Sequence, residues 1–304
     1  MMRLAVLGSS QSWYFKDLCR AAAGRYEMVP LSFRYLQSSL DALEASVASG
    51  DHNLGEYDAV LVRTMPPGTL EQVVFRMNAL AELEMQGTCV VNPSKALEAA
   101  VDKYLATLRL RHAGLDVPRT IACQGATEAM VAFAELGEDA VIKPLFGGEG
   151  RGITRLTDPA LALRAFNMLE QLGALIYLQE YVPHLGHDLR LFVVGDRVLG
   201  MRRRNTQDWR TNVSRGAETE SLVVDDPLAE IAQRAAAAVG APLAGVDLLP
   251  AQDGRLLALE VNAVPGWKAL SSTLELDVAA LVLDSIAGLV ARGKIPSKLC
   301  VTNR

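Results

Sequence analysis

The sequence predicts an α/β fold that becomes α+β in its C-terminal part, and three observations carry that expectation. Short apolar runs alternate with longer amphipathic stretches over residues 3–92, as in a parallel, doubly wound layer. From about residue 175 the apolar runs follow one another with turn signals between them, as antiparallel strands do. Half of the 304 residues are hydrophobic and 21% are charged, too apolar a mixture for a disordered chain. At roughly 100–200 residues per domain, two or three packed units are expected.

In the first region, apolar runs at 3–7, 27–31, 59–62 and 89–91 read as strands, with helical patterns over 15–23, 36–48 and 70–85. Gly8-Ser9-Ser10 lacks both GxGxxG and GxxxxGK[ST] and reads as a plain βα turn. Asn92-Pro93-Ser94 marks the first boundary, and Ser94 can cap a helix running to about 114. Strands follow near 119–123, 140–144 and 152–156. The third region carries strands at 176–181, 188–194, 197–203, 243–249 and 256–261 and helices over 227–239 and 275–291. The expected partition is 1–93, 94–174 and 175–304.

Composition excludes several function classes. A formal charge of −5 argues against a general nucleic-acid binder, which usually carries a basic excess. No segment holds the ~18 uninterrupted apolar residues of a membrane span, and the opening residues read as a first strand rather than a leader. The four scattered cysteines (19, 89, 123, 300) suggest neither a disulfide framework nor a CxxC pair, so a cytoplasmic location is expected.

Four stretches could carry chemistry. Val141-Ile142-Lys143-Pro144 runs into a loop with Gly147, Gly148, Gly150 and Gly152, and another strand follows. Glycines let backbone N–H groups approach an anion, so the loop suits a flap over nucleotide phosphates; a mobile hairpin tip is the plain alternative. Next, Gln252-Asp253-Gly254 is a hairpin signal that brings Asp247 back near Glu260, and Glu260 and Asn262 share a strand face. Three hard oxygen donors on one face suit Mg²⁺, where the alternative is a solvated polar edge. Gln179-Glu180-Tyr181 reads as a hinge able to meet an adenine edge, with Asp188 opening the next strand. Finally, seven arginines against two aspartates between 190 and 215 make a basic island that points to a bound anion or to a solvated strand face.

In this order the stretches resemble the ATP-grasp superfamily, most closely its RimK-type glutamate ligases. The resemblance covers roughly residues 93–292, from Val101-Asp102-Lys103 through Ile142-Lys143-Pro144, Leu178-Gln179-Glu180-Tyr181, Asp188-Leu189-Arg190, Met201-Arg202-Arg203-Arg204 and Arg210-Thr211-Asn212 to Asp247 and Glu260-Val261-Asn262-Ala263-Val264-Pro265-Gly266. It implies a pre-ATP-grasp domain followed by a two-part ATP-grasp fold. It implies that Lys103, Lys143 and the glycine loop contact ATP phosphates, that Glu180 and Tyr181 line the adenine site, and that Asp188 binds ribose. Arg210, Thr211 and Asn212 would add to the nucleotide site, and Arg203 and Arg215 would steady an acyl phosphate. Asp247, Glu260 and Asn262 would hold two Mg²⁺, with Mn²⁺ as a substitute and Glu260 bridging.

The activity so implied is an ADP-producing ligase that adds glutamate to an acidic acceptor, either a peptide end or a cofactor such as a tetrahydromethanopterin-type pterin. No nucleic acid or membrane partner is expected, and a homo-oligomer is. Val264 and Trp267-Lys268 depart from the family pattern beside its acceptor pocket, unless Trp267 only packs a loop. The alternative from another class is an ATP-binding regulatory protein without turnover. None of the four histidines (52, 112, 184, 187) has a triad or metal partner pattern, so activation is expected to run through the nucleotide.

Overall fold

A computed structural model of the protein describes residues 1–42, 44–148, 150–212 and 216–293. Its chain forms two compact units, one made of 1–95, 266–271 and the segment from 275 onward, the other of 96–265 with 272–274.

The first unit begins with β1 (Met2–Leu7), α1 (Trp13–Ala22), β2 (Tyr26–Leu31), β3 (Leu36–Leu40), β4 (Ala45–Ser49), β5 (His52–Asn53), β6 (Ala59–Val62), α2 (Leu70–Met85) and β7 (Cys89–Val91). Its main sheet is parallel, in the order β2-β1-β6-β7. Leu4–Leu7 and Ala59–Val62 are buried at every position, as strands covered on both faces must be. Ser12 caps α1, and Thr69 with Gln72 forms a capping box on α2.

The helix expected over 36–48 is instead the β3–β4 hairpin, extended by β5. Leu36, Leu40 and Leu43 have helical spacing, but the Asp41 side chain accepts from the Glu44 amide, and the Asp41 amide donates to the Glu44 carbonyl. That local turn competes with helix, and the alternation after it buries Val47 and Ser49.

From residue 96, within α3 (Ser94–Val101), the second unit follows with α4 (Lys103–His112), β8 (Thr120–Cys123), α5 (Ala126–Glu135), β9 (Ala140–Lys143), β10 (Thr154–Leu156), α6 (Pro159–Gln171), β11 (Ile176–Glu180), β12 (His187–Val194), β13 (Arg197–Arg204), β14 (Glu218–Leu222), α7 (Asp226–Val239), β15 (Leu243–Pro250) and β16 (Leu256–Asn262). The single helix expected to run to 114 breaks at Asp102, which leaves the helix to cap α4 through the Leu105 amide. Two antiparallel sheets follow, ordered β10-β9-β11-β8 and β14-β13-β12-β15-β16. The first packs on α5 and α6 around Phe133, Phe166 and Leu178.

β11 lies between β8 and β9 and so shares a sheet with the strands before it, although it follows the boundary expected at 174/175. Two further helices, α8 (Lys268–Leu274) and α9 (Val278–Gly293), replace the one expected over 275–291, and the left-handed Glu275 separates them. Among the described residues no helix is long and apolar enough to cross a membrane.

Candidate active site

The site is built on one face of the five-stranded sheet. Gly245 stands opposite Asn262 and Asp247 opposite Glu260 on the β15–β16 hairpin, while Arg190 of β12 stands opposite Asp247 and Asp188 opposite Arg203 of β13. Directly opposed residues share a face, so the ladder alone gathers these groups. The register shifts after Asp247, pairing Leu248 with Ala258 and leaving Leu259 over. Such a bulge breaks strict alternation, and Leu259 and Glu260 both line the same cleft.

The carboxylates here are held by arginine. Arg190 donates to Asp247 Oδ1 at 2.7 Å, and Arg203 grips Asp188 with two bonds of 2.7 and 2.6 Å while also reaching Asp247 at 3.0 Å. The Thr211 hydroxyl donates to Asp188 as well. Gly245 leaves room for this pairing, since a Cβ there would run into the Arg190 guanidinium. Burial opposes ionisation of Asp247, yet Arg190 and Arg203 hold its pKa down to about 2. Burial and the nearby Asp247 push Glu260 above the usual carboxylate range, against the pull of Lys103, Arg190 and Lys143. The Glu260 carboxylate accepts no hydrogen bond from the described residues, and Lys103, Arg190 and Lys143 act on it only through space.

Opposite these acids stands Lys143. It ends β9 and donates to Gln179 Oε1 at 2.6 Å; Gln179, 2% exposed, also donates to Thr120 Oγ1 and Tyr177 Oη, each at 3.0 Å. Tyr177 in turn meets Thr107 at 2.9 Å. Burial brings the Lys143 pKa down to about 8, with Glu260 opposing and Lys103 reinforcing. Lys103, at the start of α4, donates to the Gly147 carbonyl and is likewise lowered by burial. It therefore touches the flap's backbone. Gly150 and Gly152 have positive φ, and a Cβ at Gly150 would meet the Asn212 side chain, so glycine is needed there on two counts.

The far wall of the cleft is aromatic. Tyr181 meets Trp209 edge-on at 5.8 Å, and the Arg155 guanidinium lies 3.4 Å from the Tyr181 ring centre. Glu180 accepts from the Arg119 amide at 3.1 Å and lies 3.5 Å from Arg255. Arg210 pairs with Asp208 and donates to the Ile153 carbonyl, which ties the 208–212 segment to the end of the flap. The cleft encloses about 730 Å³, counting its part open to solvent.

Lys143, Glu180, Tyr181, Asp188, Arg203, Arg210, Thr211, Asn212, Asp247 and Glu260 all line this one cleft. Asn262 lies next along the hairpin face with its side-chain oxygen accepting from the Val264 amide at 2.8 Å. Arg215 and Glu149 lie outside the described residues. Strand alternation also sorts the triple arginine: Arg203 faces inward, while Arg202 and Arg204 both pair with Glu220 at 3.4 Å. The basic island is thus largely matched by acids of this same unit, Asp188, Asp208, Glu220 and Asp247, and most of its charge needs no external anion. Asp188, 3% exposed with both oxygens engaged by Arg203, sits as an internal counter-ion.

Trp209 joins the site without a sequence signal, while Gln179 joins as a partner of Lys143 rather than as a hinge and Arg190 as a partner of Asp247 rather than of an external anion. Gln179 had a signal, a polar residue two places from Tyr177 on an otherwise apolar strand. Among the described residues no three His, Cys, Asp or Glu gather, and the oxygen donors the hairpin face offers a cation are two acids, Asp247 and Glu260, and the amide of Asn262. That all-oxygen set fits Mg²⁺, which keeps several waters or phosphate oxygens.

The RimK-like ATP-grasp domain model matches residues 100–286. The chain belongs to the RimK-like ATP-grasp family. This RimK-type chain is 31% identical over 315 residues to the tetrahydromethanopterin:alpha-L-glutamate ligase of Methanosarcina acetivorans, covering 92% of this chain and 97% of the relative. It is 33% identical over 236 residues to a probable alpha-L-glutamate ligase of Haemophilus influenzae, covering 77% and 78%. The solved ATP-grasp ligase PsnB, complexed with a minimal precursor, Mg and ADP, shares its fold with a TM-score of 0.73 at 23% identity, over 94% of this chain and 97% of that one. A RimK-type ATP-grasp protein with ligases for relatives is an enzyme, and the regulatory alternative is set aside.

Proposed function

We propose that the protein is an ATP- and Mg²⁺-dependent carboxylate–amine ligase that joins L-glutamate to an acidic acceptor, a peptide end or a tetrahydromethanopterin-type cofactor. The observation that carries this reading is the single cleft in which Lys143 faces the Asp247–Glu260 pair beside the Tyr181–Trp209 wall. Near-full-length similarity to a ligase named for tetrahydromethanopterin and glutamate supports the substrate class.

In this reading Lys103, Lys143 and the flap glycines take the phosphates, and Glu180 and Tyr181 with Trp209 take the base. Asp247, Glu260 and Asn262 would hold Mg²⁺, and the metal would offset charge on the transferring phosphoryl group. Gln179 points Lys143, and Asp188 positions Arg203 rather than holding ribose. The acceptor carboxylate attacks the γ-phosphorus, an O–P bond forms, and the bond to ADP breaks. Arg203, with Arg215 as its proposed companion, steadies the acyl phosphate. The glutamate amine then attacks the acyl carbon, phosphate leaves, and the amine loses a proton.

The test is product analysis with L-glutamate and either a glutamyl peptide or tetrahydromethanopterin as acceptor. ADP and phosphate should form in equal amounts, only with the right acceptor present, and hydroxylamine should trap a hydroxamate. Release of AMP and pyrophosphate would overturn the mechanism.

A further inference from the structure

The parallel sheet of the first unit reverses direction of connection between β1 and β6. The chain leaves β1 toward β2 through α1 and leaves β6 toward β7 through α2, so the loops at the carboxyl ends of these adjacent strands diverge. In open parallel sheets such a switch point is where ligands sit. Gly8 directly follows β1 there, and Arg63 directly follows β6, with the Arg63 and Thr64 amides both donating to the Leu7 carbonyl. A Cβ on Gly8 would lie 3.3 Å from the Arg63 Cβ, so the two loop starts are pressed together.

Arg63 is the group that these contacts do not explain. It is 8% exposed, and its buried Nε and Nη1 have no hydrogen-bond partner. What surrounds it is aromatic: its guanidinium carbon lies 4.4 Å from the Trp267 ring centre and 4.9 Å from that of Tyr14, and those rings meet edge-on at 5.0 Å. Trp267 is fully buried and fixed through its indole N–H to Asp17 at 2.9 Å. Ring faces attract a cation but accept few of its N–H bonds. Burial lowers the Arg63 pKa to about 10, with only the Tyr14 hydroxyl acting against it and no carboxylate among its influences. A buried guanidinium without an acid is disfavoured unless an acid arrives from outside.

We infer that Arg63, with Tyr14 and Trp267 packed against it at the β1/β6 switch point, is a receptor for the carboxylate of a substrate. The rings cover the guanidinium but leave its buried Nε and Nη1 without a partner, and a carboxylate is the group that arginine is suited to pair with. The ligand's standing as a substrate rests on the ligase reading; the site itself does not. Its carboxylate can come from the amine donor, an acidic amino acid, or from the acid acceptor.

Titration calorimetry on the full chain tests this with L-glutamate, N-acetyl-glutamyl-glutamate and, as a control without a carboxylate, glutaminamide. Each is measured with and without Mg²⁺ and a non-hydrolysable ATP analogue. At least one of the two acids should bind and the control should not, and which acid binds identifies the source. In Arg63→Met the dissociation constant for that acid should rise at least about tenfold, the loss of one charge-assisted contact. Nucleotide affinity should stay unchanged, and the thermal midpoint should hold or rise because an unpaired buried charge is gone. Absence of acid binding to the unaltered protein, or equal acid affinity in the variant, would overturn the inference. If Arg63→Met fails to fold, Arg63→Lys decides by the same tenfold criterion, since it keeps the charge and loses the fork. If the nucleotide analogue does not bind, the ligase reading falls, while the arm without nucleotide still judges Arg63.

Discussion

Arg203 of the five-stranded sheet and Arg63 at the end of β6 are withdrawn from solvent alike, 7% and 8% exposed, and their surroundings are opposite. Arg203 meets two aspartates, and their attraction raises its pKa despite the burial that opposes it. Arg63 meets two aromatic rings, and burial lowers its pKa. A guanidinium gripped by carboxylates is held in one position; one that meets only rings has no counter-charge and is a place for an acid to bind. Buried arginines therefore cannot be read by exposure alone, and their partners decide which kind each is.

The sharpest break of this comparison lies at Glu260, the acid in the cleft to which no arginine hydrogen bond is made. Glu260→Ala should lower turnover on the order of 10³-fold or more, because charge compensation at the transferring phosphoryl group depends on it. Thermal unfolding should be unchanged or slightly improved, since a buried carboxylate with a raised pKa disappears. Near-normal turnover in that variant would remove the metal-site assignment.

Arg203 should behave in the reverse sense. Arg203→Met leaves Asp188 and Asp247 facing each other with only Arg190 to compensate, and breaking a buried pair this way costs about 3–5 kcal/mol. Chemical denaturation should show that loss, and Arg203→Met with Asp188→Leu should recover part of it. If the single variant is as stable as Arg63→Met, the distinction between the two arginines fails.

Much of this was legible in the chain, and the gaps have physical causes. Period-two alternation put Asp247, Glu260 and Asn262 on one face because side-chain direction in a strand is local. The same alternation separates Arg203 from Arg202 and Arg204, yet which parity faces inward depends on acids 15 to 44 residues away, at 188, 220 and 247. The apolar spacing over the β3–β4 hairpin suits a helix, and the Asp41 turn opposes that preference. The bulge at Leu259 and the split at Asp102 are tertiary choices with weak local signals. Arg63 was invisible for a related reason: a lone arginine after a strand looks solvated until the rings that cover it, 49 and 204 residues away in sequence, are in place.

A smaller effect is expected at Gln179, which connects Lys143 to Thr120 and Tyr177. Gln179→Leu frees Lys143 to swing and leaves two hydroxyls short of a donor. Outer partners of this kind are typically worth about 10–100-fold at a metal or charged site. The KM for ATP should rise within that range while kcat changes less. A kcat loss without a KM change would mean that Gln179 does not act through Lys143.

The mildest expected effect is a proton count. Lys143 has its pKa lowered from the ordinary lysine value to about 8, chiefly by burial, so at pH 9 it is mostly neutral in the free protein. ATP phosphates beside it favour the ammonium form and raise that pKa on binding. Nucleotide binding should therefore take up protons, and the apparent affinity should fall as pH rises above about 8. At pH 9 the phosphates of ATP are already ionised and contribute little to the count. Calorimetry in buffers of different ionisation enthalpy measures the uptake directly. Lys103 is lowered by burial too and contributes a share. Lys143→Arg, charged throughout this range, should remove most of the uptake and flatten the pH dependence. Proton release on binding, or the same uptake in the arginine variant, would show that Lys143 does not meet the phosphates. The cleft would then hold its charged groups for some other ligand, and its likeness to Arg63, an unsaturated cation waiting for an anion, would end there.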